Sequence, residues 1–393
     1  MTKSLRRSFL SLATFFLLSI ACLGAPVKHH TKYFVYVGTY TQEGSESKGI
    51  YAYRFDSATA RLVPIGLAAE STNPSFLVVH PNHRFLYAVN EVSNYQGEKS
   101  GAVSAFAINR ATGKLTLLNQ VATRGGDPCY ISFDKTGKYV LVANYAGGSV
   151  AIFPVMDDGR LGEASAFIQH SGHGTNPQRQ EAPHAHSVDL SPDNRFALVD
   201  DLGLDETLIY RFDSTKGSLA AGPQSNPAPA KAEPGAGPRH LAVHPNGNFA
   251  YVINEMASAV SAFRYDATTG ELKKLQTISA LPKTFSGHSE AAEIQVHRSG
   301  KFLYASNRGQ DSIAVFAIDK NMGTLTPIEY VSTKGANPRH FEIDPTGSLL
   351  FAANEKSDNI VVFHVNSQTG RLTPTGKVLE VAQPVCIKFV PVD

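Results

Sequence analysis

One unit recurs seven times along the chain, and the last copy is completed by the first residues. A well-preserved copy reads GPRHLAVHPNGNFAYVINE from Gly237 to Glu255, followed by AVSAFRYDATTGELKKL. Sibling copies start at Asn73, Asp127, His184, Glu290 and Asn337. A seventh begins as QPVCIKFVPVD at Gln383 and stops, while the chain opens with FVYVGTYT and GIYAYRFDSATARLVPI, the half that the seventh lacks. Repeats of about 40–55 residues, each made of four short strand-like segments, are the pattern of a β-propeller. LAVHP and FAYVI carry the apolar runs of two strands, and AVSAFRYD and ELKKLQT form the third and fourth around a DATTG hairpin turn. Such turns recur at Ser57–Ala60, Asn109–Gly113, Asp157–Gly159, Asp213–Gly217, Asp266–Gly270, Asp319–Gly323 and Asn366–Gly370, which gives the same count of seven independently. The expected fold is therefore all-β: a seven-bladed propeller of four antiparallel strands per blade, over residues 26–393. Its ring closes because N- and C-terminal strands share one blade, which removes the unpaired edges that invite aggregation.

The first 25 residues read as an export signal. Lys3, Arg6 and Arg7 form a basic start, Phe9–Leu23 an apolar run short for a membrane span, and small residues follow. Export to the periplasm or exterior is expected, with Cys22 as a candidate lipid-anchor site. The leader holds three of the 36 basic residues and no acid, so the remainder nearly balances 34 acidic residues. A ring so close to neutral has no general affinity for nucleic acid or anionic membrane, and any anion site must be a local cluster. Past the leader, only Cys129 and Cys386 remain, in repeats that are not neighbours, so stability is expected from the core rather than from a disulfide. The mature protein is expected to be a monomer without a transmembrane span.

The informative positions are those where the copies stop agreeing. At the start of the innermost strand the copies place Ser75, Cys129, His186, Arg239, Ala292 and Arg339, and next to them Phe76, Tyr130, Ser187, His240, Glu293 and His340. The second strands end in Asn90–Glu91, Asn144–Tyr145, Asp201–Leu202, Asn254–Glu255, Asn307–Arg308 and Asn354–Glu355. Both sets fall on one face of a propeller, so they converge at one mouth of its axial channel. The repeated Asn suits a structural amide that satisfies backbone groups at the strand end. The varying columns are different, because repetition does not require Arg, His and Glu near the axis and buried charge is costly unless paired. His186, Arg239, Glu255 and Arg308 are the candidate catalytic residues, and His184, His240, Glu293, Arg339 and His340 the candidate substrate-binding residues. The competing reading is a set of Arg–Glu bridges, such as Arg239 with Glu255, that only lock blades together. His184 and His186, two apart on a strand, would face one side and could form half a zinc site with Glu293; neither a metal nor any other cofactor is expected. Of two long connections, Gln169–Pro183 is polar enough to carry function, with His170 and His173 expected to be solvated, and Ala221–Gly237 reads as a solvated insertion.

With VGTYT at Val37–Thr41, the motif ending in RQEAPHAHS at Asn176–Ser187, GPRHLAVHPNG at Gly237–Gly247, LYASNRG at Leu303–Gly309 and NPRHFEIDPTG at Asn337–Gly347, the chain resembles the lactonase family of seven-bladed propellers. That family includes propeller-type 6-phosphogluconolactonases and is related to the carboxymuconate lactonizing enzymes. The resemblance implies hydrolysis of a sugar lactone to its aldonic acid. In the muconate enzymes the proposed functional residues are a His, an Arg, a Glu sixteen residues later and a second Arg. These match His186, Arg239, Glu255 and, more loosely, Arg308. The phosphogluconolactonase role is cytosolic, whereas the leader here implies export. A His titrates near neutrality and can serve as general base, and Arg can hold an oxyanion, carboxylate or phosphate. No Gly-x-Ser-x-Gly elbow supports an acyl-enzyme. A lactonizing isomerase, or a non-catalytic propeller that binds a sugar acid or a protein, stays open on these residues, since fold alone does not decide.

Overall fold

A computed structural model describes residues 31–220 and 227–392, so the leader, with Cys22, lies outside the described residues. Seven sheets are arranged as propeller blades. Blades 1 to 6 are numbered by their inner strands, Leu77–Val79, Pro128–Phe133, Ala185–Leu190, Pro238–Val243, Glu290–Val296 and Pro338–Ile343. Blade 7 is the composite one. Its inner strand Pro384–Pro391 pairs antiparallel with Lys32–Thr39, in the register Tyr33↔Pro391 and Val37↔Ile387, and Gly49–Asp56 and Arg61–Glu70 complete the sheet. Closure therefore joins the first and last described strands by a ladder of backbone hydrogen bonds, with one register shift between Gly38 and Thr39.

Blade 3 departs from the four-strand plan. Its outer position is filled by two fragments, Ser218–Ala220 and Ala230–Lys231, both paired with Glu206–Asp213. The Ala221–Gly237 connection interrupts that strand, and its residues 221–226 lie outside the described part. The single helical element among the described residues is a 3-10 turn at Glu355–Ser357.

The recurring turn chemistry explains how the blades nest. In the DATTG hairpin, Asp266 Oδ1 accepts the backbone N–H of Thr268 (2.7 Å) and of Thr269 (3.3 Å), and Asn109, Asp319 and Asn366 do the same in their blades. The closing glycine has positive φ and abuts an aromatic ring of the preceding blade. A Cβ on Gly323 (φ +72°) would lie 2.3 Å from Phe249, and one on Gly270 2.6 Å from Phe196. Where a Tyr stands two residues after that Phe it donates to the glycine carbonyl, as Tyr251 does to Gly323 (3.0 Å) and Tyr304 to Gly370 (2.7 Å), whereas Phe196 is followed by Leu198. The F-x-Y pattern of the second strands is thus an inter-blade lock. Blade 7 has Ala60 at this turn, in the left-handed region at φ +51°, and there blade 6 supplies Leu349 instead of Phe.

The Asn column behaves as its repetition suggests. Asn90, Asn144, Asn307 and Asn354 each donate Nδ2 to a carbonyl of the connection entering their blade, at 2.7–3.3 Å, and Asn254 donates to Ala259 within its own.

Candidate functional site

A β-bulge aims the key side chains. In blades 2, 3, 4 and 6 the inner strand slips by one residue at its start, between Pro128 and Tyr130, Ala185 and Ser187, Pro238 and His240, and Pro338 and His340. The extra residue is Cys129, His186, Arg239 or Arg339. A bulge breaks strict in/out alternation and can turn its residue out of the ladder, here toward the axis. The same bulge removes the basis for reading His184 and His186 as neighbours on one side. His184 precedes the strand, stacks on the Tyr145 ring at 4.5 Å and donates Nδ1–H to the Tyr145 carbonyl at 3.1 Å. Among the described residues no group of three or more potential metal ligands is found.

The four candidate catalytic residues meet at one carboxylate. Glu255 Oε2 accepts Arg239 Nε at 2.9 Å and lies 2.9 Å from Arg308 Nη2 and 3.8 Å from His186 Nε2. Glu255, His186 and Arg239 are buried, and Arg308 is mostly covered. Burial alone would raise the Glu255 carboxyl, but Arg308, Arg239 and Arg179 outweigh it and hold it well below the usual carboxylate range. Glu255 is therefore ionised and orients the guanidinium groups. His186 moves the other way from its ordinary value: burial, then Arg239, His240 and Arg339, push its imidazole down, so it is neutral at pH 7. Its Nδ1 sits 3.7 Å from the Cys129 Sγ. Burial pushes the Cys129 thiol far up, which leaves it a thiol and not a nucleophile. Arg239 commits Nε to Glu255 and Nη1 to the Ala292 carbonyl (2.7 Å), which leaves Nη2 for a ligand.

Arg179 completes the cluster, and the column alignment missed it because it belongs to no repeat. It comes from the Gln169–Pro183 connection, where Nη2 meets Glu255 Oε1 at 2.5 Å and Nη1 meets Glu290 Oε1 at 2.7 Å. Its side chain is 34% exposed, against 2% for Arg239. The connection is fastened at both ends of this arm. Gln180, fully buried, donates to Leu202 O and Asp205 Oδ1 and accepts the N–H of Thr175 and Asn176. His170, expected in solvent, is instead buried, with Nδ1 2.6 Å from Asp201 Oδ2. The reason is the replacement of the column Asn by Asp at 201, whose other oxygen accepts His184 N (2.8 Å) and Leu204 N (3.1 Å). His173 is exposed, as expected. The rest of the second connection, from 227 onward, supplies no side chain to the cluster among the described residues.

The remaining candidates form the floor and the far wall. His240 donates Nδ1–H to Glu293 Oε2 at 3.0 Å, and His340 Nε2 lies 3.6 Å from the same oxygen. The rings of Phe76, Tyr130, His240 and His340 pack edge-on or tilted at centroid distances of 4.4–5.7 Å and plug the channel below the mouth. Arg339 stacks over the Tyr40 ring, 5.3 Å from its centroid, and among the described residues no carboxylate comes within ion-pair distance of it. A narrow cavity opens beside it, lined by Ser75, Glu91, Cys129, Arg239, His240 and Arg339, with Phe76 and Val385.

Comparison with known proteins places the chain in a family. A profile described as "Lactonase, 7-bladed beta-propeller" matches residues 34–389. The chain belongs to the lactonase family of seven-bladed β-propellers. It is 39% identical over 359 residues to a 6-phosphogluconolactonase of Bacillus subtilis, covering 91% of this chain and 99% of that one. The structure of a candidate 6-phosphogluconolactonase from Bacteroides fragilis superposes with a TM-score of 0.84 at 39% identity, over 93% of this chain and 100% of the other. That of a periplasmic gluconolactonase from Pseudomonas aeruginosa does so with a TM-score of 0.85 at 35% identity, over 92% and 100%.

Proposed function

We propose that this lactonase-family protein hydrolyses the ring ester of a sugar lactone of the 6-phosphogluconolactone type, at the mouth described above, to give the aldonic acid. The observation that carries the reading is the pairing of a neutral, buried imidazole with a carboxylate clamped by three guanidinium groups, next to a cavity that a fourth guanidinium lines. Lactone hydrolysis needs a water made nucleophilic, charge stabilisation for the tetrahedral oxyanion, and a firm hold on a polyhydroxylated, anionic substrate. His186 Nε2 is the group to accept the water proton. Its lowered basicity keeps it unprotonated at neutral pH, which a base requires. Arg239 Nη2 is placed for the developing oxyanion, and because Glu255 and Ala292 fix the rest of that guanidinium it needs no reorganisation during the reaction. Arg308, held by Glu255 and the Ala291 carbonyl, braces the same carboxylate. Arg339 and Arg179 are the groups available to the anionic part of the substrate. The relatives' names support this reading: one is a 6-phosphogluconolactonase and another a periplasmic gluconolactonase.

Export places the reaction outside the cytoplasm. Mass spectrometry of the mature protein is expected to find a start between about Cys22 and Lys28. The test of function is turnover of gluconolactone and 6-phosphogluconolactone by the purified mature chain, with His186→Gln and Arg239→Lys beside it. Saturable hydrolysis is expected, lowered about 10²-fold or more in kcat by His186→Gln. Arg239→Lys should fail similarly, because one ammonium nitrogen does not reproduce the planar fork whose separate nitrogens reach Glu255 and Ala292. Full activity in both folded variants would move the site elsewhere.

A further inference from the structure

We infer that Gln180 and Asp205 are positioning residues through which the mouth tells an anionic lactone from a neutral one, because together they hold Arg179 at Glu255. The inference rests on the lactonase reading and on Arg179 as a contact for the anionic part of the substrate.

Asp205 fills a slot that three blades share. In blades 3, 5 and 6 an Asp in the left-handed region, Asp205 at φ +56° and Asp311 and Asp358 at +52°, immediately precedes the third strand. Its carbonyl accepts an N–H just past the outer strand, from Ala232, Thr333 or Val381, at 2.9–3.0 Å. Its Oδ1 accepts the N–H of the residue that starts the next blade, Gly237, Asn337 or Gln383, in each case at 2.8 Å. These repeated bonds tie one blade to the next, and repetition marks them as structural.

Asp205 differs in what else it holds. Its Oδ1 also accepts Gln180 Nε2 at 2.7 Å, and its Oδ2 accepts Gly235 N at 2.7 Å. Gln180 is 1% exposed and has both amide atoms doubly engaged: Nε2 donates to Leu202 O as well (2.8 Å), and Oε1 accepts Thr175 N (3.0 Å) and Asn176 N (2.9 Å). Its backbone N–H closes the turn on Asn176 O at 2.7 Å. A buried amide satisfied on every side has one orientation, and flipping it would set donors against donors. Arg179 is the residue before it in the chain.

These contacts close a circuit. From Asp205 Oδ1 one branch runs through the Gln180 side chain and along the backbone to Arg179, whose Nη2 meets Glu255 Oε1 at 2.5 Å. The other runs through Gly237, which donates to Asp205 Oδ1 and accepts Glu255 N at 2.7 Å. Both partners of the ion pair are thus referred to one carboxylate oxygen. Arg179 needs such a reference, since it is partly exposed and stands on a connection instead of a strand. A long side chain ordered only on binding would spend rotamer entropy that a fixed base spares. The saving applies to a substrate that presents an anion to Arg179, and a neutral lactone gains little from it.

The test is a double-mutant cycle in KM, run with 6-phosphogluconolactone and gluconolactone on wild type, Gln180→Glu, Arg179→Ala and the double variant, with melting curves for each. Gln180→Glu keeps an acceptor for Thr175 and Asn176 and replaces the Nε2 donor by an oxygen that faces Asp205. KM for 6-phosphogluconolactone is expected to rise about tenfold or more, and KM for gluconolactone by less than about threefold. In the Arg179→Ala background the same change should move neither KM by more than about twofold, because the arm it places is gone. Asp205→Asn leaves one acceptor oxygen for three N–H donors and should give the same split at smaller size, which decides the matter if Gln180→Glu does not fold. Asp358→Asn perturbs the shared inter-blade bond alone and should lower Tm while both KM values stay within about twofold of wild type. An equal rise for both lactones, a rise undiminished in the Arg179→Ala background, or a split as large in Asp358→Asn would overturn the assignment. If wild type turns over neither lactone, the lactonase reading fails and takes this inference with it; turnover without a split in Gln180→Glu and Asp205→Asn removes the positioning role alone.

Discussion

Replacing Glu255 by Gln is the sharpest probe of the mouth, because its effect on stability can be worked out from the contacts. The carboxylate is 4% exposed and receives Arg179 at 2.5 Å, Arg239 at 2.9 Å and Arg308 at 2.9 Å. An amide of the same shape deletes the charge and leaves the backbone in place. The amide keeps one acceptor oxygen for three guanidinium groups and turns an NH2 donor toward the others, and the sole carboxylate still shared by Arg179 and Arg308 would be Glu290. Removing one partner of a buried ion network typically costs about 3–5 kcal/mol. A folded domain of roughly 360 residues gains about 0.75 kcal/mol/K of unfolding entropy near its midpoint, so Tm should fall by about 4–7 °C at pH 7. The pH dependence has a definite sign. The folded Glu255 carboxyl is depressed below its unfolded value of about 4.3. Its stabilisation is therefore full above that value and is lost as pH falls toward the folded pKa. The gap between wild type and variant should stay constant from pH 7 to about 5 and narrow below about 4. Calorimetry at one fixed scan rate from pH 3.5 to 7 measures it. A variant within 1 °C of wild type at pH 7, or a gap that does not narrow in acid, would show that the clamp contributes nothing net and that the pKa argument is wrong.

Two further substitutions separate binding from architecture. Arg179→Ala should raise KM for 6-phosphogluconolactone by about tenfold or more and that for gluconolactone by less, while Tm moves by no more than about 1–2 °C, since half-exposed ion pairs contribute little; equal KM changes for both lactones would take Arg179 off the anionic group. Gly323→Ala should cost about 2–3 kcal/mol, because its Cβ would meet Phe249 at 2.3 Å, whereas Gly376→Ala, with similar φ and nothing within 4 Å, should cost only the left-handed penalty of about 1 kcal/mol; melting curves of the pair would refute the inter-blade lock if the two losses were equal.

The ring was legible in the sequence because the blades solve the same packing problem with closely similar residues. F-x-Y, the Asx turn and the closing glycine recur for one physical reason, and the shared seventh blade follows from counting them. The gathering of His186, Arg239, Glu255 and Arg308 was legible for the complementary reason, since equivalent slots in a ring face one axis whatever fills them. Three features were not. Alternation placed His184 beside His186, but the bulge that turns His186 inward is not written in the residue pattern of a single strand. His170 reads as a polar loop residue, and only the packing of Asp201 shows that it is buried. Arg179 has no counterpart in any copy, so aligning the copies removes the residue from view. Its position depends on Gln180 and Asp205, two polar side chains whose burial nothing local announces.

These misses share one cause, and it bears on how such a site arises. Rotational equivalence supplies seven similar slots, and a symmetric ring of identical charges would repel itself at the axis. A working site needs the equivalence broken. Blade 3 breaks it most, with two extra residues before its inner strand, Asp in place of the column Asn, an outer strand in two pieces and the connection that carries Arg179. Blades 7, 1 and 2 break it in the opposite sense, by putting Val385, Ser75 and Cys129 where blades 3, 4 and 6 put His186, Arg239 and Arg339. The first set of departures brings charge to the mouth and the second leaves a narrow gap beside it. Each alone would be inert: charge without room is a lock between blades, and room without charge is a hole. The departures therefore carry the functional information, and the repeats carry the means of holding them within a few ångströms of one another.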